Sequence, residues 1–131
     1  MDTINFEIVN QVGWVRLARP NKHNPFDAEL RTELMTVLEQ VRQDPEIRVL
    51  VLTGSHGVFC AGGNLQVLHE HLDSGAQYWQ QRLKTGLRFT QDMLNLGKPV
   101  IAINTATYWH ALRAVGLTDR LDGFGTLLSH H

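Results

Sequence analysis

The stretch Gly54-Ser55-His56-Gly57-Val58-Phe59-Cys60-Ala61-Gly62-Gly63-Asn64-Leu65 constrains this chain most. Before it runs Ile47-Arg48-Val49-Leu50-Val51-Leu52-Thr53, an apolar, β-branched run of the kind that forms a strand buried on both faces. After it, Leu65, Val67, Leu68 and Leu72 are spaced for a helix. A buried strand therefore passes through a glycine-rich loop into a helix. Such a junction can leave backbone N–H groups unpaired and aimed at a ligand, with a helix dipole behind them. Read alone, the glycines require no more than a tight turn.

The 131-residue chain has the length of one domain or of part of a larger one. At 43% hydrophobic and 19% charged residues it can bury a core. A net charge of −1 gives no general attraction to nucleic acid or anionic membranes. The single cysteine, Cys60, excludes an internal disulfide and reads as a small buried filler. No apolar run is long enough to span a bilayer, and no signal or transit peptide opens the chain, so a soluble, cytoplasmic protein is expected.

Residues 4–10 alternate apolar and polar, Gln11-Val12-Gly13 provides a turn, and residues 14–18 alternate again, which predicts a hairpin. Arg19-Pro20-Asn21-Lys22-His23-Asn24-Pro25 predicts a loop. Asp27 is placed to cap a helix carrying Leu30, Leu34, Val37, Leu38 and Val41 on its core face, ended by Asp44-Pro45. Strand, helix and strand in this order imply a parallel pair joined by a crossover. His69-Glu70-His71 places its histidines two apart, on different helix faces, and predicts an exposed polar stretch with no metal site. Trp79, Leu83, Leu87, Thr90 and Leu94 predict the buried stripe of a further helix. Leu96-Gly97-Lys98-Pro99-Val100-Ile101-Ala102-Ile103-Asn104 then returns to a buried strand.

Phe59-Cys60-Ala61-Gly62-Gly63-Asn64-Leu65 after Val51-Leu52-Thr53-Gly54 resembles the crotonase, or enoyl-CoA hydratase/isomerase, family, with Asn64 in place of the usual Asp. Arg19-Pro20 leading to Asn24, and Lys98-Pro99-Val100-Ile101-Ala102, are similar to further family patterns. The resemblance implies an α/β fold: a crotonase-like spiral of ββα units, here cut short after about four to five strands. It implies that Gly63 donates its N–H to a thioester oxygen, that Ala61, Gly62, Asn64 and Leu65 line the substrate, and that Lys22 meets coenzyme A phosphates or the pantetheine arm. His23 reads as a solvated loop residue. No separate cofactor is implied, since coenzyme A arrives as part of an acyl-CoA substrate, in the manner of fatty acid metabolism. Family members build trimers, so a homo-oligomer is expected, with no nucleic-acid or membrane partner.

The resemblance covers residues 4–104, which reads as a domain spanning 1–104 followed by a non-family tail, 105–131. The family's second run of oxyanion-hole glycines falls on Trp109, His110 and Ala111, and its first catalytic glutamate on Arg113. The second glutamate lies beyond His131, and no glutamate follows Glu70. Two readings of this change stand: a frameshifted translation of a family gene, or a divergent C-terminal segment with its own packing; codon degeneracy accommodates the first. Tyr108-Trp109-His110 written TAT-TGG-CAN reads Ile-Gly one base later, and Leu112-Arg113 written CTG-CGG before Ala114 reads Cys-Gly. The nucleotide sequence downstream of Asn104 tests this. A second reading, a non-catalytic CoA-binding or interaction fragment, stands beside the enzyme.

Overall fold

The computed structural model describes residues 1–102, 110 and 113–116. The chain divides into two compact units, Met1–Val100 and Ile101–His131. The tail readings at Trp109, Ala111, Leu112 and residues 117–131 lie outside the described residues. His110, which is described, is exposed.

The first unit opens with strands β1 (Ile4–Val9) and β2 (Val12–Leu17), an antiparallel hairpin. Its turn is Asn10-Gln11, both residues at positive φ (50° and 66°), rather than the expected Gln11-Val12-Gly13. A two-residue turn with both φ values positive matches the twist of the flanking strands, and Asn tolerates that region well. Gly13 instead lies inside β2, where an added Cβ would meet Phe6, Ile47 and Leu50 side chains at 3.2–3.4 Å.

Helix α1 (Ala28–Gln43) follows, and strand β3 (Val49–Gly54) then pairs with β2 in parallel, as the strand–helix–strand order requires. Helices α2 (Leu65–Glu70) and α3 (Gly75–Leu94) come next, then strand β4 (Val100–Ala102). The sheet order is β1-β2-β3-β4, and Leu50 N–H donates to the Pro99 carbonyl at 3.0 Å where β4 begins.

The core is one cluster built from Ile4, Val15, Leu17, Leu50 and the α1 residues Leu30, Leu34, Val37, Leu38 and Val41, closed by Ile47, Phe89 and Leu96. All five α1 residues expected inside are buried. Two expectations change. Strand β3 is not buried on both faces: only Leu50 is fully buried and the remaining positions are half-buried. The sheet face away from the core carries Glu7, Trp14 and Arg16: the Arg16–Glu7 ion pair is partly exposed there, and the guanidinium lies 5.3 Å from the Trp14 ring centroid. The expected α3 stripe is also out of phase. Leu83, Leu87 and Leu94 are 63–79% exposed, whereas Phe89 is buried and packs on Phe26 with ring centroids 5.2 Å apart. Helix α3 carries two apolar faces, and periodicity cannot say which one meets α1.

The ends of α1 are satisfied by side chains. Asp27 accepts from Leu30 N–H at 3.1 Å as the predicted cap. At the other end the Lys98 ammonium donates to the Val41 and Asp44 carbonyls, which gives the helix C-terminus a cation and its orphan carbonyls a donor. Glu33 ties the chain's start to α1 by accepting from the Asp2, Thr3 and Ile4 N–H groups and the Thr3 hydroxyl.

Two carboxylates make stability depend on acid. Burial alone would raise the Asp27 pKa, but the Arg19 hydrogen bond, the Leu30 N–H and the Arg19 charge outweigh it and hold the carboxyl below its ordinary value. Burial likewise opposes, and the Thr3 hydroxyl with three backbone N–H groups outweighs, at Glu33, whose pKa is also lowered. A group depressed in the folded state binds fewer protons there than when unfolded. Its contribution is complete above the unfolded pKa of about 4 and is lost as pH falls through the folded value. The urea midpoint is therefore expected to hold constant from neutral pH down to about 5 and to fall below about 4.

Candidate functional site

The glycine-rich loop begins where β3 ends. Ser55 N–H and its hydroxyl both donate to the Leu17 carbonyl, at 3.0 and 2.7 Å. His56 (φ 53°) and Gly57 (φ 76°) then form a tight reversal closed by Val58 N–H on the Ser55 carbonyl. Gly54 is obligatory there, because a Cβ would fall 1.8 Å from the Val58 carbonyl oxygen.

From Val58 onward the loop is held by the segment before α1. Asn24 Nδ2 donates to the Val58 carbonyl at 2.9 Å, and its Oδ1 accepts from Arg19 N–H at 2.7 Å. Ala61 N–H donates to the His23 carbonyl at 3.0 Å, and Phe26 N–H to the Gly62 carbonyl at 2.7 Å. The holding segment is itself braced. Arg19 grips both Asp27 oxygens at 2.9 and 3.0 Å, reaches Glu29 at 3.2 Å and donates to the Pro25 carbonyl at 3.3 Å. The Asp27 hydrogen bond is the main reason the guanidinium pKa is raised further, against the opposing effect of burial.

Ala61, Gly62 and Gly63 are exposed. Gly62 has φ 104° and open space where a side chain would stand, and Gly63 faces only Leu68 Cδ1, at 3.6 Å. The Gly63 N–H has no hydrogen-bond partner among the described residues. Asn64 caps α2, its Oδ1 accepting from Gln66 and Val67 N–H at 3.0 and 3.3 Å. That cap uses the first helical donors, and α2 is only six residues long, so the loop backbone and not a helix dipole offers the free donor. Leu65 is 79% exposed beside it.

Lys22 closes the short 3-10 turn Pro20–Lys22, one regular turn inside the expected loop, and is exposed. It lies one residue before the His23 carbonyl that binds Ala61, so the fold brings Lys22 and the 61–65 segment to one loop cluster. With Arg19, Asn21 and Glu29 it also lines a cavity of about 400 Å³. His23 is exposed as a side chain, but its φ of 58° turns its carbonyl onto the loop. Cys60 is half-buried, not fully buried as expected, with Gly62 N–H 3.4 Å from its sulfur. His71 bonds the Val67 carbonyl through Nδ1 at 2.9 Å and stacks on Tyr78. Among the described residues no three His, Cys, Asp or Glu side chains gather to hold a metal ion. No described helix is long and apolar enough to cross a membrane.

The sequence pattern ending in Asn24 gave that residue no role of its own, yet it is 1% exposed and joins two loops. A signal was present: Asn beside His before Pro25 suits consecutive left-handed residues, and φ is 58° at His23 and 48° at Asn24.

A ββα unit whose parallel strand runs into this loop defines an α/β protein of crotonase-like fold. The enoyl-CoA hydratase/isomerase family profile matches residues 7–106, and the chain belongs to that family. It is 35% identical over 82 residues to a hydroxycinnamoyl-CoA hydratase-lyase of Pseudomonas fluorescens, covering 63% of this chain and 30% of the relative. It is 39% identical over 64 residues to an (E)-benzylidenesuccinyl-CoA hydratase of Thauera aromatica, covering 48% of this chain and 25% of the relative. The crystal structure of an enoyl-CoA hydratase/isomerase from Cupriavidus metallidurans CH34 superposes with a TM-score of 0.73 at 70% identity, covering 78% of this chain and 38% of that one. The chain thus spans about a quarter to two fifths of the length of these relatives.

Proposed function

We propose that this chain binds an acyl-CoA thioester and polarises its carbonyl for hydration or double-bond isomerisation through an enolate. The Gly63 N–H donates to the thioester oxygen, Ala61, Gly62, Asn64 and Leu65 flank the acyl group, and Lys22 attracts the coenzyme A phosphates. The unpartnered Gly63 N–H, in an exposed loop with open space beside Gly62, carries this reading. Both named relatives act on CoA thioesters by their names, which supports the substrate class.

A donor fixed before reaction stabilises negative charge that develops on oxygen only as the enolate forms. Removing one such donor costs about a hundredfold to a thousandfold in rate. Water addition in the family needs a glutamate pair, and no glutamate follows Glu70. The purified chain is therefore expected to bind crotonyl-CoA but to turn it over well below about one per second. Calorimetric titration with butyryl-CoA and with S-butyl-CoA, the thioether lacking the carbonyl, tests the site. The account expects tighter binding of the thioester, and equal binding contradicts it. Binding with no turnover at all favours the non-catalytic reading of this chain.

A further inference from the structure

We infer that Asn24 is a positioning residue that holds the glycine-rich loop so that the Gly63 N–H stays aimed at the thioester, an inference that rests on the role proposed for Gly63. The Val58 carbonyl is fixed from two sides. Gly54 lies against it so closely that a Cβ would stand 1.8 Å away, and Asn24 Nδ2 donates to it at 2.9 Å. Five residues later comes Gly63, and among the described residues two backbone bonds tie the loop down between them: Ala61 N–H to the His23 carbonyl and Phe26 N–H to the Gly62 carbonyl.

Both bonds are made by neighbours of Asn24. Its left-handed backbone and that of His23 end the reversal of residues 19–24, which its Oδ1 on Arg19 N–H and its N–H on the Arg19 carbonyl (3.0 Å) close, and the chain then leads on to Phe26. One buried side chain thus sets the shape of the holding segment and the start of the held loop. Its amide must donate on one side and accept on the other, which Asp cannot do. In Asp, a carboxylate oxygen would face the Val58 carbonyl oxygen.

The test uses Asn24→Asp, which keeps the acceptor and tolerates the left-handed backbone, and Asn24→Gly, which removes both side-chain bonds and relieves the backbone. Amide hydrogen exchange reads the Ala61 and Phe26 N–H groups against Val51 and Leu52 in β3. Calorimetry reads the preference for butyryl-CoA over S-butyl-CoA. Both variants are expected to speed exchange at Ala61 and Phe26 by about tenfold or more. The β3 amides should change less, and the thioester preference should fall while affinity for free CoA stays. Unchanged exchange at Ala61 and Phe26, or equal acceleration everywhere, overturns the inference. A wild-type chain with no thioester preference overturns the role of Gly63, and the exchange result then judges the hold of Asn24 on the loop by itself.

Discussion

Replacing Gly54 with alanine is expected to cost about 3 kcal/mol of stability, at the upper end of overpacking penalties. The added methyl would meet the Val58 oxygen at 1.8 Å, the Val58 carbonyl carbon at 2.5 Å and the Phe59 Cα at 2.6 Å. All three are backbone atoms, so no rotamer change relieves the clash. The reversal at His56-Gly57 would have to open, and with it the Asn24 contact to Val58 and the path to Gly63. Gly86→Ala is the matched control: it lies in α3 with nothing near its would-be Cβ, and alanine there should stabilise by about 0.5–1 kcal/mol. Urea denaturation of the two variants against the parent reads both effects. An unchanged midpoint in Gly54→Ala would remove the close approach from the account.

The second large effect is expected at Asp27. Its side chain and that of Arg19 are only 16% and 14% exposed, and the pair is bidentate. Deleting one partner of a largely buried pair leaves an uncompensated charge, a loss of about 3–5 kcal/mol. Glu29, more than half exposed, remains to Arg19 and moderates that loss. Asp27→Ala also removes the α1 cap, worth about 1 kcal/mol. Asp27→Asn keeps a capping oxygen while losing the charge, so its urea midpoint should fall between alanine and the parent. The alanine variant should also lose part of the drop in stability below about pH 4, because Asp27 no longer titrates. Equal midpoints in Asp27→Ala and the parent would show that the pair braces nothing.

Much of this architecture was legible because it rests on local chemistry. Alternation in residues 4–10 and 14–18, the Asp27 cap and the spacing of Leu30, Leu34, Val37, Leu38 and Val41 each declare their element from neighbours in sequence. The parallel pairing of β2 with β3 followed from element order alone. The hairpin turn was misplaced because Gly13 drew the reading away from Asn10, though Asn serves a positive φ nearly as well. The α3 stripe was misread because Leu83, Leu87 and Leu94 repeat as regularly as Phe89 and Met93, and only packing against α1 separates the two faces. The contact that Asn24 makes was unreadable for a different reason. Its partner at Val58 lies 34 positions away, and nothing local marks a side chain that joins two loops. The glycines of the candidate site were readable as a string, whereas what holds them was not.

The central claim is that the Gly63 N–H donates to a bound thioester oxygen. Difference infrared spectroscopy of crotonyl-CoA carrying carbon-13 at the thioester carbonyl, bound to this chain, addresses that bond directly. A donor held in line with the carbonyl oxygen polarises and lengthens the C=O bond, so the account predicts a labelled band shifted below its position in free solution. A bound carbonyl that absorbs where it does in water would contradict it.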